Sequence, residues 1–200
     1  MAQKVIYLIR HGKPEQEDEQ RRFIGQVDLP LSAEGHRQAQ ILGEKLRSKK
    51  IDAVYCSDLI RSVETARPIA AHQNLESIPL PNLREINLGK WDGVTFSEIA
   101  RVYPKEFRQR GNDIVYFRPP EGESFADCNT RALAAFQEIC RSSHETIVIV
   151  GHAGVNRLLL CHILGMPLNN LFRIAQNYAC MNIIAATETS YQVNTLNMPL

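Results

Sequence analysis

The sequence has no long apolar run, no paired cysteine pattern and almost no net charge. Nothing approaches the roughly 18 consecutive apolar residues that a membrane-spanning helix needs. The opening "MAQKVIYLIRHGKPEQ" has neither the long apolar centre nor the small-residue cleavage site of a secretory signal, so the expected location is cytoplasmic. Lys plus Arg number 23 against 22 Asp plus Glu, a net charge of +1 that offers no bulk attraction for nucleic acid or an anionic membrane. Any basic site must therefore be local. The five cysteines (Cys56, Cys128, Cys140, Cys161, Cys180) are odd in number and form no C-x-x-C pair, which argues against a disulfide framework and a zinc knuckle. They read as small buried hydrophobes. The Gly-rich phosphate loop G-x-x-x-x-G-K-[ST] is absent, as are clustered metal-binding carboxylates, so neither a kinase-type domain nor a metal cofactor is expected. No internal repeat, low-complexity tract or linker interrupts the chain.

What is present is an ordinary globular composition, 44% apolar and 22% charged. Two hundred residues suit one domain, residues 1–200, able to bury roughly 70% of its unfolded surface. "KVIYLIRHG" reads as a strand covered on both faces, because β-branched apolar runs of this length are typical of parallel sheets flanked by helices. A long polar loop follows. Ser32 to Ser48 is predicted as an amphipathic helix with Ser32 as N-cap, through Ala39, Leu42 and Leu46 at helical spacing. "IDAVYCS" is a second strand, and Leu59 to Ala71 a helix opened by Ser57 or Asp58 and kinked or restarted at Pro68. A brief strand near Ile78 precedes an irregular loop, and short helices are predicted over Thr95 to Val102 and Pro104 to Arg110. Glu123 to Arg141 is a strong helical pattern, "TIVIVGH" a further apolar strand, and Val155 to Leu164 a helix stopped by Gly165 and Pro167. The tail alternates weakly and reads as two strands joined near Thr187 to Ser190. Strands alternating with helices give the α/β class with a mostly parallel sheet.

Two strands end alike, "YLIRHG" at His11 and "VIVGHAG" at His152. Ligands in open α/β sheets sit beyond the carboxyl ends of strands, where right-handed crossovers bring successive strand ends to one edge. Arg10 belongs to the first end, and "SDLIRS" delivers Arg61 to the same edge from the first turn of a helix. Two imidazoles with two guanidiniums suit a small, doubly charged, tetrahedral anion, since the planar Arg fork pairs two phosphate oxygens at once. Taken singly, Arg61 also fits a surface arginine at a helix start, Glu85 an exposed loop carboxylate, and His152 a satisfied histidine at a strand end.

The ordered set "LIRHG", "RFIGQVDLPLSAEGHRQA", "SDLIRSVETA", "REINLGKWDG", "PPEGES" and "VGHAGVNR", from residue 8 to residue 157, resembles the histidine phosphatase superfamily in its phosphoglycerate mutase-like branch. The resemblance implies a three-layer α/β/α sandwich and a metal-independent phosphomonoester hydrolase. It implies His11 as the nucleophile that forms a phosphohistidine, Glu85 as the acid that protonates the departing oxygen, and Arg10, Arg61 and His152 around the phosphoryl group, with Gly12, Gly25 and Ala153 completing the substrate-binding set. Surrounding cations would keep the His11 imidazole neutral and nucleophilic. Hydrolysis is expected over phosphoryl transfer because only 67 positions separate Glu85 from His152, with residues 86–124 as a compact lid. The length, "LGKWDG", "EGES" and "LLLCHILGMPLNNLFRI" look like α-ribazole phosphatases, making α-ribazole 5′-phosphate one expected substrate. Mutase or fructose-2,6-bisphosphatase-like activity is the alternative, and a non-catalytic module of the same fold a further one. The expected partner is a small phosphomonoester, with no nucleic acid and no membrane, and a homodimer is allowed for.

The sequence departs from the family pattern after "RHG", where "KPEQEDEQRRF" has no Asn to hold phosphate. Lys13 either adds charge to the pocket or points to solvent, and Gln16 or Gln20 is a candidate replacement for the amide. The acidic run Glu15, Glu17, Asp18 and Glu19 disfavours bisphosphates. His36, His72, His144 and His162 lie outside the motifs and read as surface or packing residues.

Overall fold

The computed structural model describes residues 3–16, 18 and 20–200, so Glu17 and Glu19 of the acidic run lie outside the described residues. The chain runs β1 (Lys4–Arg10), α1 (Ala33–Leu46), β2 (Ala53–Cys56), α2 (Ile60–Ala71), β3 (Ser77–Pro79), α3 (Phe96–Val102), α4 (Pro104–Asn112), α5 (Phe125–Arg141), β4 (Thr146–Gly151), α6 (Ala153–Ile163), β5 (Met181–Ala186) and β6 (Tyr191–Met198). The strands form a sheet in the order β3-β2-β4-β1-β5-β6. Its β3–β2, β2–β4 and β4–β1 pairs are parallel, and the β1–β5 and β5–β6 pairs antiparallel. The sheet is therefore mostly parallel, as expected, with an antiparallel edge.

The two-residue period of a strand divides the core. Ile6, Leu8, Ile147 and Ile149 face one side, where they pack with Phe136 and Ile139 of α5 and Leu158 and Leu159 of α6. Tyr7, Ile9, Val148 and Val150 face the other, against Leu42 and Leu46 of α1 and Ala66 and Ile69 of α2. Helices thus cover both faces, which makes the three-layer sandwich and explains why β1 and β4 are apolar at successive positions. Cys56, Cys128, Cys161 and Cys180 are buried and Cys140 half-buried, none of them in a disulfide. Among the described residues no helix is long and apolar enough to cross a membrane.

Most element boundaries agree with the pattern in the sequence, and the exceptions have tertiary causes. Ser32 caps α1, accepting from the Gly35 N–H. The Ser124 and Asp127 side chains form a reciprocal capping box at the start of α5. The predicted cap of α2 is wrong. Leu59 occupies the N-cap without a side-chain bond, because the Asp58 carboxylate turns to Arg84 at 2.7 and 2.6 Å. A distant residue takes the role, as the Ile60 N–H donates to Asp28 Oδ1 at 2.7 Å. At Pro68 the helix neither stops nor restarts and runs on to Ala71. Helix α6 opens at Ala153, two residues before the expected start, and Leu168–Arg173 forms an unforeseen 3-10 segment.

Candidate active site

The insertion of β4 between β1 and β2 places the two histidine-bearing strand ends side by side, with Arg10 paired in register to Gly151. The His11 N–H extends this ladder by donating to the Gly151 carbonyl at 3.0 Å. The His11 and His152 rings then lie 5.0 Å apart, centroid to centroid, and are only 5% and 0% exposed. His11 Nδ1 sits 2.7 Å from the Gly12 carbonyl. A carbonyl only accepts, so Nδ1 carries the hydrogen and Nε2 keeps its lone pair. Burial first, then the charges of Arg10 and Arg61, hold the His11 pKa well below its ordinary value. Burial also leads the depression at His152, followed by Arg61, His11 and Arg10. Both imidazoles are neutral around pH 7.

Arg61 is 1% exposed, which rules out the surface reading. Its Nη1 and Nη2 donate to the carbonyls of Val27 at 2.8 Å and Gly25 at 2.6 Å. That loop is itself fastened by Asp92, whose carboxylate accepts the N–H groups of Gly25, Gln26 and Val27 at 2.7, 2.6 and 2.9 Å. A side chain at Gly25 would meet the Ile86 carbonyl at 2.4 Å, so only glycine lets the two loops approach. Arg10 donates through Nη1 to the Gln176 carbonyl at 2.7 Å, with its guanidinium carbon 3.7 Å from the Tyr178 ring centroid. Gln176 is locked by Asn182, which also donates to the Leu8 carbonyl of β1. Of the seven buried polar side-chain atoms that have no hydrogen-bond partner among the described residues, three are Arg10 Nε, Arg61 Nε and His152 Nδ1. Buried polar atoms are rarely left unpaired, and these three belong to the residues expected around a phosphoryl group.

Glu85 is 8% exposed and joins the cluster from the loop after β3. Its carboxylate accepts from the N–H groups of Ile86 at 3.0 Å, Gly154 at 2.8 Å and Val155 at 3.2 Å. It thereby caps the first turn of α6, which accounts for the early start of that helix. A Cβ at position 154 would come within 2.4 Å of Glu85 Oε1. The Glu85 carbonyl is gripped by Gln26 and by Arg131, which also bonds the Arg84 and Asn82 carbonyls and pairs with Glu123 at 2.5 Å.

A cavity of about 460 Å³ reaches the cluster at Arg10, Glu85, Ala153 and Gly154, whereas the buried His11, Arg61 and His152 are not among its lining residues. Ala153 thus faces the cavity, whereas Gly12 and Gly25 act through their backbones, Gly12 on His11 and Gly25 on Arg61. Gln16 and Gln20 line it, and Lys13 is exposed with its backbone tied to Gln38 and Ser32. Sequence reading missed Arg21, Arg22, Arg110, Arg157, Phe172 and Tyr178, which also line the cavity. The signal available for Tyr178 was the set of amides Gln176, Asn177 and Asn182 in a largely apolar run. A larger cavity, about 710 Å³, lies at the opposite ends of the strands, where Lys4 is engaged by the Ser142 and His144 carbonyls, and it contains none of the predicted residues. Among the described residues no group of three or more His, Cys, Asp or Glu side chains is arranged to hold a metal ion.

The model of the histidine phosphatase superfamily (branch 1) matches residues 6–199. Phosphoserine phosphatase 1 of Hydrogenobacter thermophilus is 30% identical over 195 residues, which cover 96% of this chain and 92% of that protein. The adenosylcobalamin/α-ribazole phosphatase of Escherichia coli is 28% identical over 193 residues, covering 96% and 95%. Among solved structures, the α-ribazole phosphatase from Shigella flexneri matches with a TM-score of 0.87 at 28% identity, with 96% of each chain covered. With its two strand-end histidines brought together along the same sheet edge, and with this likeness running through nearly its whole length, the chain belongs to branch 1 of the histidine phosphatase superfamily.

Proposed function

We propose that this phosphatase hydrolyses a small phosphomonoester through a phosphohistidine at His11, and that residues 1–200 act as one catalytic unit with 86–124 as its cover. The observation that carries the reading is the 2.7 Å contact between His11 Nδ1 and the Gly12 carbonyl, which leaves Nε2 as a buried, neutral nucleophile. Nε2 attacks phosphorus in line, the N–P bond forms as the P–O bond to the leaving group breaks, and water then cleaves the N–P bond to release phosphate. Arg10, Arg61 and His152 carry the non-bridging oxygens. With the Ser62 hydroxyl as donor to His152 Nε2 at 3.3 Å, the hydrogen on His152 lies at Nδ1, the nitrogen without a protein partner. Glu85 gives its proton to the departing oxygen and takes one from the attacking water in the second step. Ile86, Leu88, Phe96 and Arg110 of the cover line the cavity.

The phosphate-binding residues do not choose the leaving group. Relatives of similar identity are named for phosphoserine and for α-ribazole phosphate, whose leaving groups differ in charge and size, so the outer cavity decides between them. Hydrolysis of p-nitrophenyl phosphate in excess EDTA tests the core of the reading. Wild-type protein is expected to turn over and His11→Ala to lose the activity. Normal turnover by His11→Ala, or activity that vanishes with chelator and returns with Mg²⁺, contradicts it.

A further inference from the structure

Residues 176–180, which lead into β5, hold Arg10 at three points. The Gln176 carbonyl accepts from Arg10 Nη1 at 2.7 Å, the Tyr178 ring covers the flat face of the guanidinium with its centroid 3.7 Å from the carbon, and the Cys180 carbonyl accepts the Arg10 N–H at 3.1 Å. The Ala179 N–H donates to the His11 carbonyl at 3.1 Å, so the same segment fixes the backbone of the nucleophile. These two backbone bonds continue the antiparallel pairing of β1 with β5 beyond Ile9 and Met181. At Ala179 the backbone lies in the left-handed region, with φ at 56°, a strained conformation for a residue that has a Cβ. With that bend, residues 176–178 lie over the Arg10 side chain instead of extending the ladder.

A buried amide network anchors the segment from behind. Gln176 Oε1 accepts from Asn182 Nδ2 at 3.0 Å and from Asn156 Nδ2 at 3.3 Å, and Gln176 Nε2 donates to Asn182 Oδ1 at 2.9 Å. Asn182 Nδ2 also donates to the Leu8 carbonyl at 2.9 Å, two residues before Arg10. Asn156 stands near the start of α6, its N–H donating to the His152 carbonyl at 2.8 Å. All three amides are buried, and the network joins the two elements that end in His11 and His152. Bonded amides in a core fix one arrangement where apolar side chains would tolerate several.

The clamp dictates which part of Arg10 is left for an anion. With Nη1 on a carbonyl and one face under a ring, the side formed by Nε and Nη2 stays open, and an arginine side of this kind pairs two oxygens of one phosphoryl group. Nε is buried with no partner among the described residues. We infer that Gln176 and Tyr178, which lie outside the motifs, are positioning residues that hold Arg10 with its Nε and Nη2 side toward the phosphoryl group. The inference rests on the inner cluster being the phosphate pocket. Holding the donors in place beforehand lowers the ordering cost of binding.

The test begins with the affinity for inorganic phosphate, measured by calorimetry, which reads only the folded molecules of a variant. Gln176→Met and Tyr178→Leu are each expected to weaken binding about tenfold, the scale of one charged hydrogen bond, whereas Tyr178→Phe keeps the ring and the wild-type affinity. Should Gln176→Met yield no folded protein, the Tyr178 pair decides, because that side chain lies outside the amide network. The second measurement is kcat/KM for p-nitrophenyl phosphate, per folded molecule, in a cycle with Arg10→Ala. Tyr178→Leu is expected to lower it in the wild-type background and to change nothing further once Arg10 is gone. Unchanged phosphate affinity in Tyr178→Leu, an equal loss in Tyr178→Phe, or a loss of kcat/KM that persists without Arg10 overturns the clamp. If wild-type protein binds phosphate but does not turn over, the hydrolytic reading fails and the affinities alone judge the clamp. Absence of phosphate binding by wild-type protein overturns both.

Discussion

At His11 and His152 a burial cost is converted into chemistry. Each ring is held neutral by burial and by neighbouring guanidiniums, so protonation is opposed in the folded state and not in the unfolded chain. The sign of the stability effect follows. Below the ordinary histidine pKa of 6.5 the unfolded chain takes up protons that the folded protein refuses. Stability is thus fully present above that pH and is lost as pH falls toward the depressed folded values, at a limiting slope of roughly 1.4 kcal/mol per pH unit for each ring. Urea unfolding between pH 7 and pH 5 is expected to show this decline, and His152→Asn about half the slope. A flat profile in wild-type protein would mean that the imidazoles are not held neutral. Arg61 illustrates what a residue type alone conceals. Its place at the start of a helix suits a surface arginine, and only the carbonyls of Gly25 and Val27, more than thirty positions away, reveal why it can be buried with its charge.

At the scale of elements, Glu85 and α6 depend on one another. The carboxylate satisfies the N–H groups of Gly154 and Val155, and the helix start aims the carboxylate into the cavity. Gly154→Ala would press a methyl group against Glu85 Oε1, at a site where a Cβ comes within 2.4 Å. If Glu85 supplies the proton, this variant loses roughly 10²-fold on alkyl phosphates, within the range a positioned proton donor contributes. Much less is lost on p-nitrophenyl phosphate, whose leaving group hardly needs a proton, and Glu85→Gln shows the same split. Equal losses on both substrates would remove Glu85 from the acid role. The same contact explains an unreadable boundary. The sequence before α6 carries no side-chain cap, because the cap comes from a loop 69 positions earlier. Asp28 capping α2 is a second instance. By contrast α1, capped by its own Ser32, begins where the local pattern places it, and α5, capped by its own Ser124, begins two residues after the predicted Glu123.

For the whole molecule, the decisive feature is that β4 enters the sheet between β2 and β1, so that strands far apart in sequence end side by side. The apolar runs of β1 and β4 made the layered fold legible, since burial on both faces leaves an unbroken hydrophobic signature. The matching strand ends also mark His11 and His152 in the sequence. The outer wall was not legible, because Arg21, Arg110, Arg157, Phe172 and Tyr178 come from separate loops and helices whose meeting depends on tertiary packing. The near-neutral composition conceals it as well, for a net charge of +1 coexists with a cavity whose lining, among the described residues, has five arginines and one carboxylate, Glu85. Everything proposed for this cavity turns on a covalent bond between phosphorus and His11 Nε2. The direct measurement is to quench the protein during turnover of a labelled phosphomonoester and map the label by mass spectrometry. An acid-labile, base-stable phosphoryl group on His11, absent from His11→Ala, is the expected result, whereas label on another residue would contradict the mechanism.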